Sequence, residues 1–221
     1  MAVARVTLGG VLVGAQRWSI GLSVLADGPA PDAAAASAFA NTVFDDFVST
    51  AWNPSTSGSM KINGMVGAAG NLDSCRVYYY PTGATAATIV GASTRASNAG
   101  LNSITAPPQC AVVVSLLTGL AGRANRGRIY VPGLAISLGT TTGQLTSGTP
   151  APLAQSIANF ITLLRTRQLT TGSNSVPIVA GATGGGYPIT TVRVDSVVDT
   201  QRRRRDKVTP AITANASVIV P

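Results

Sequence analysis

Two aspartates, Asp195 and Asp199, sit four residues apart in VRVDSVVD, and four consecutive arginines, Arg202, Arg203, Arg204 and Arg205, follow in DTQRRRRDKV. Carboxylates at that spacing could hold a cation or divide the work of a general acid and a general base. Arg193 and Arg202 lie on either side of them, so simple ion pairing explains both aspartates more economically. A second basic cluster, Arg123, Arg126 and Arg128, occupies AGRANRGR. Clustered cations suit three partners: a nucleic-acid backbone, a protein surface offering carboxylates and carbonyls that the arginine fork can grip, or solvent at a sheet edge. Asp45 and Asp46 fall beside the polar side of an amphipathic segment and read as a solvated helix face.

The residues that most catalytic sites need are missing. There is no histidine and no glutamate. Ser–His–Asp and Cys–His arrangements therefore lack their base. Two distant cysteines, Cys75 and Cys110, cannot build a four-thiolate zinc site; without a secretion signal they are expected as buried free thiols. The glycine-rich GATGGGYP lacks the GK[ST] ending of a phosphate-binding loop and reads as a hairpin connection. No enzyme activity, cofactor, metal or small-molecule substrate is expected. Aromatic residues make up only 5% of the chain, and none lies within ten residues of Arg202–Arg205 on either side. Stacking on bases is thus not expected there, and contact with a nucleic-acid backbone is the less favoured use of the cations.

Composition points towards assembly. The chain has 221 residues, 45% hydrophobic and 11% charged, against about 25% charged in average soluble domains. Its net charge is +8, from fourteen arginines, Lys61 and Lys207 set against eight aspartates. Surfaces covered by neighbouring subunits are depleted in charge. The N-terminal MAVARVTLGGVLVG has no signal-peptide core, and the longest apolar run, CAVVVSLLTGLAG, is too short and interrupted to span a bilayer. No membrane partner is expected.

The elements that must position these residues follow from periodicity. Residues 3–26 alternate as a hairpin turning near Gly14 and Ala15. Asp32 is placed to cap a helix whose apolar stripe is Ala36, Phe39, Ala40, Val43, Phe44, Phe47, Val48 and Ala51, ending at Trp52–Asn53–Pro54. SMKINGMVGAAG is a short strand and loop. SCRVYYYPTG and TAATIVGAST form a strand pair about Pro81–Thr82–Gly83, with alternate rings of Tyr78–Tyr80 on opposite faces. CAVVVSLLTGL and RIYVPGLAI form a third hairpin, the first strand apolar on both faces and so expected to be central and doubly covered. Leu153, Ile157, Phe160, Ile161 and Leu164 mark a second helix, whose last turn holds Arg165 and Arg167 where cations complement the helix dipole. SVPIVAGAT and YPITTVRVDSVVD make a fourth strand pair, and TPAITANASVIVP an extended arm. The halves share this pattern loosely, with no residue-level repeat.

Two segments, LLTGLAGRANRGRIYVPGL (116–134) and VRVDSVVDTQRRRRDKV (192–208), resemble segments of virion structural proteins of tailed double-stranded DNA bacteriophages. There a basic RGR-Ile/Leu-Tyr hairpin is followed, after a helix, by a Val-Asp-Ser/Thr-Gln-Arg-Arg-Arg run. The resemblance covers about 36 of the 221 residues. It implies a protein that assembles in many copies and brings no catalytic residues; it would make Arg126, Arg128 and Arg202–Arg205 a structural signature.

The expectation is an α+β fold: a mostly antiparallel β-sheet built from hairpins, with two amphipathic helices packed on it and an extended C-terminal arm. Residues 1–221 form one domain, with 209–221 as the arm. The expected protein is made in the host cytoplasm and resides in the virion. It binds copies of itself and other virion proteins as a head–tail connector, tail or capsid-surface component. The alternative is a genome-packaging coat protein of a small icosahedral virus, with its arginines on nucleic acid. Candidate subunit-interface or anion-contact residues are Arg123, Arg126, Arg128, Arg202, Arg203, Arg204, Arg205, Ile219 and Val220, the last two in the TANASVIVP segment expected to lie on a neighbour.

Overall fold

Asp32 starts the first helix as its residue type suggests: its backbone is extended and its Oδ1 accepts from the Ala35 N–H at 2.6 Å. Helix α1 (Ala33–Thr50) buries Ala36, Phe39, Ala40, Val43, Phe44 and Phe47, the anticipated stripe. Helix α2 (Pro150–Arg165) buries Leu153, Ile157, Phe160, Ile161 and Leu164 in the same way. The structure, a computed structural model, describes residues 2–12, 16–26, 28–54, 60–62, 70–95, 110–118, 127–132, 150–179, 187–198 and 211–221. Within them, the side chains of a few strand segments also lie outside the description.

The remaining elements are strands: β1 (Val3–Leu12), β2 (Gln16–Leu25), β3 (Trp52–Pro54), β4 (Met60–Ile62), β5 (Gly70–Tyr80), β6 (Ile89–Ala92), β7 (Cys110–Thr118), β8 (Gly127–Pro132), β9 (Val176–Val179), β10 (Tyr187–Val198) and β11 (Ala211–Ile219). Every pairing among the described residues is antiparallel. The fold is α+β, an antiparallel sheet carrying two helices.

The pairing shows one topology used twice. In the first half the order is β6-β5-β1-β2, with β4 joined to the start of β5 and α1 lying over β5 and β6. In the second half the order is β11-β10-β7-β8, with β9 joined to the start of β10 and α2 lying over β10 and β11. Strand β9 also pairs with β2, Ser23 opposite Ile178, and so joins the halves into one sheet. Both helices lie on the same side, where Phe47 and Phe160 meet edge to face with ring centroids 5.3 Å apart. The loose likeness of the two sequence halves is therefore a likeness of strand order.

Residues 211–219 are extended, as the arm reading has it, but they lie along β10 of the same chain, Val194 opposite Ala216 and Val192 opposite Val218. The physical reason is their alternation: Ala216 and Val218 pack on the core and Val220 is buried, while Asn215, Ser217 and Ile219 face out. Strand β7 is central between β10 and β8, with Val114 and Leu116 buried. On its other face Ser115 is buried and Val113 and Leu117 are half-buried, so that face is partly covered.

One close approach sets how α1 sits on the sheet. A Cβ built on Gly91 of β6 falls 2.5 Å from the Ala36 Cβ and 2.7 Å from the Ala36 carbonyl oxygen. Only a residue without Cβ lets the helix come that near. Cys75, inward on β5, is a buried free thiol whose burial pushes its pKa up to about 12. The unfolded thiol ionises near 9.0, so this group leaves stability unchanged at lower pH. Between about 9 and 12 ionisation favours the unfolded chain, and stability falls as pH rises.

Gly91→Ala is expected to cost about 2–3 kcal/mol in a denaturant titration, since backbone rather than a flexible side chain must give way. In a Cys110→Ala background, Cys75 should resist Ellman's reagent at pH 8 in the native protein and react fully in guanidinium. Rapid native labelling would contradict the buried placement.

Candidate assembly surface

Several of the basic residues singled out in the sequence fall outside the described residues: Arg123 and Arg126 in one cluster, Arg202, Arg203, Arg204 and Arg205 with Asp199 and Asp206 in the other. Arg128 is placed on β8, opposite Ser115 of β7, with its side chain outside the description. Ile219 and Val220 are fully described and behave differently from each other. Ile219 is 78% exposed on β11, whereas Val220 is buried and its N–H donates to the Thr190 carbonyl at 2.8 Å. Val220 is thus a core residue and not an interface candidate.

The aspartates resolve into ion pairs. Arg193 Nε donates to Asp195 Oδ1 at 2.9 Å, two residues along the same strand. Asp45 pairs with Arg95, both about half exposed. Asp46 is the correction: its carboxylate is buried, not solvated, and takes both arms of the Arg167 guanidinium, Nε at 2.7 Å and Nη2 at 2.6 Å. The hydrogen bond to Asp46 holds Arg167 above its ordinary pKa, its attraction to that carboxylate adding to the effect and partial burial opposing it. Arg165 does more than complement a helix dipole. It reaches from the last turn of α2 to the carbonyls of Pro221 and Ile189, the latter at 2.5 Å. Among the described residues no group of three His, Cys, Asp or Glu side chains comes together.

What the fold leaves open is the side of the sheet opposite the helices. Alternation sends Arg5, Arg76, Tyr78 and Tyr80 outward, between the buried Ala4, Val6, Cys75, Val77 and Tyr79. Cross-strand register puts them in rows. Val90, Tyr78, Arg5 and Ser23 stand side by side across β6, β5, β1 and β2. Ala92, Arg76, Thr7 and Gly21 form the next row. The Arg5 guanidinium lies over Gly21, where a Cβ would stand 3.7 Å from its Nη2. Val90 is 54% exposed. In the second half Ile219, Thr191 and Leu117 form a row, with Ser217, Arg193 and Ser115 beside it. This face offers apolar area, ring faces and hydrogen-bond donors, and its described residues include no nucleophile–base pair. The sequence carries a signal for this face, since single arginines interrupt apolar runs at period two.

No family model, curated protein or solved structure matches this chain. No helix among the described residues is long and apolar enough to cross a membrane.

Replacing Arg167 leaves the buried Asp46 carboxylate without its fork. Loss of one partner of a buried pair costs about 3–5 kcal/mol, reduced here because Arg167 is itself about a third exposed. Arg167→Ala should therefore lower unfolding free energy by about 2–3 kcal/mol. Arg167→Lys should recover only part, because an ammonium cannot form two parallel bonds. Denaturant melts of both variants check this, and equal stability of wild type and Arg167→Ala would refute it.

Proposed function

We propose that this chain is a non-enzymatic structural protein of a bacteriophage virion that assembles with copies of itself, as a head–tail connector, tail or capsid-surface component. The observation that carries the reading is the helix-free sheet face. It holds Tyr78, Tyr80, Val113 and Leu117 half-buried and Val90 and Ile219 exposed, in a chain only 11% charged. Subunit interfaces are enriched in tyrosine and arginine and poor in other charges. The resemblance of residues 116–134 and 192–208 to phage virion segments supports the same reading.

A second reading, a genome-packaging coat protein, draws on one observation. Arg5 and Arg76 are exposed on this face, add to a net charge of +8, and make no ion pair among the described residues.

Light scattering on the purified chain should give a mass at a multiple of 22.3 kDa at micromolar concentration. A strict monomer across the concentration range would refute self-assembly. Filter binding to nucleic acid at two salt concentrations separates the readings. Backbone neutralisation gives a steep salt slope that shrinks when Arg202–Arg205 become alanine. Absent or salt-insensitive binding leaves assembly alone.

A further inference from the structure

The two halves end their sheets differently. The first closes its outer edge: β6 is four residues long, and the chain after it is drawn onto α1. Ser93 Oγ donates to Asn41 Oδ1 at 2.7 Å, the Thr94 N–H donates to the same oxygen at 3.1 Å, and Arg95 pairs with Asp45. In the second half the residues after β11 are also tied down, Arg165 of α2 donating to the Pro221 carbonyl, so the contrast lies in the edge strand itself. Strand β11 runs nine residues, contains no charge and no proline, and among the described residues pairs with β10 alone. Long uncharged edges are templates for another strand, and proteins usually blunt them with lysine, proline or shortness.

Backbone geometry fixes which groups are offered. Val220 bonds its register partner Thr190, so alternate residues 218, 216 and 214 direct their N–H and C=O towards β10. Asn215, Ser217 and Ile219 therefore direct theirs to the free edge. The sequence of β11, AITANASVI, reads nearly the same from either end about Asn215. Antiparallel pairing with an identical strand sets Asn215 against itself, Ala214 against Ala216, Thr213 against Ser217, Ile212 against Val218 and Ala211 against Ile219. Each residue is matched with one of its own kind in size or polarity, and no like charges are brought together; such cross-strand matches favour pairing. The register shift falls at Thr213, which has no partner on β10, so the regular part of the match is residues 214–216 about Asn215.

We propose that β11 is a self-pairing edge: two copies of this chain join antiparallel through Ala211–Ile219 about a two-fold axis at Asn215, continuing one sheet across both. This rests on the self-assembly reading above and names the partner and register within it. The contact is isologous, so it closes at two copies and does not propagate as a fibre.

The test uses the full chain. Ser217→Pro removes an N–H that faces the free edge and leaves the bonds to β10 in place. It should halve the mass seen by light scattering while circular dichroism stays native. In a Cys110→Ala background, Asn215→Cys should form an intermolecular disulfide in a glutathione redox buffer, because the paired Cα atoms stand within disulfide reach. Ser217→Cys should not, since its counterpart lies opposite position 213. A monomeric wild type defeats the assembly reading and this proposal together. An oligomeric wild type whose mass survives Ser217→Pro, with Asn215→Cys uncrosslinked, defeats the proposal alone. Equal crosslinking at 215 and 217 defeats the two-fold register. If Ser217→Pro fails to fold, the two cysteine variants decide.

Discussion

The fold depends on the contact between its two helices. Phe47 and Phe160 meet in the core, and Trp52 packs against Phe47 with ring centroids 6.3 Å apart. One residue before Phe47, the Asp46 carboxylate takes the Arg167 fork. Desolvating that carboxylate is expensive and is offset only because both its oxygens are filled by a charged donor. The pair therefore contributes little by existing and much by being hard to break: any arrangement that separates the helices leaves a bare buried charge. A second junction sits at Gly28, φ +126°, where a Cβ would stand 2.9 Å from Thr170 Oγ1. Turns from the two halves touch there, and an L side chain would meet both backbone strain and contact.

Because the helices share one side, everything apolar that faces them becomes core, and everything on the other side of the sheet is left to solvent or a neighbour. That division makes Arg5, Arg76, Tyr78 and Val90 a surface. The second half has the same strand order as the first, so the two edges can be compared directly. One edge is four residues and tied to its helix; the other is nine residues and bare of charge.

Local structure is largely legible in the sequence. The stripes of Phe39, Val43, Phe47 and of Leu153, Ile157, Phe160 are helix-period patterns that any buried helix face must show, and Asp32 is an ordinary cap. The hairpins are legible because alternation fixes their faces: Tyr79 turns inward and Tyr78 and Tyr80 outward. What escapes is set by distant partners. Asp46 looks as solvated as Asp45 until α2 is laid beside it, and its partner is 121 residues away. Arg165 looks like a helix-end cation until β10 and Pro221 are brought within its reach. The last strand reads as an arm because nothing local distinguishes an edge strand from one that crosses to a neighbour; both alternate. The short β3 escapes for a different reason, since three residues carry too little period to detect, whereas β4 lies in the SMKINGMVGAAG segment expected to hold a short strand. The two arginine clusters, plain as they are in the sequence, stand outside the described residues apart from the backbone of Arg128.

The repeated strand order has a consequence for dilution. Two separate modules held together by a ring pair, one ion pair and the short β2–β9 pairing would separate as their concentration dropped. Joined in one chain, each module meets the other at a local concentration set by the connecting segment, in the millimolar range for short linkers, however dilute the solution. The interface between the halves is thereby freed from having to find its partner in solution.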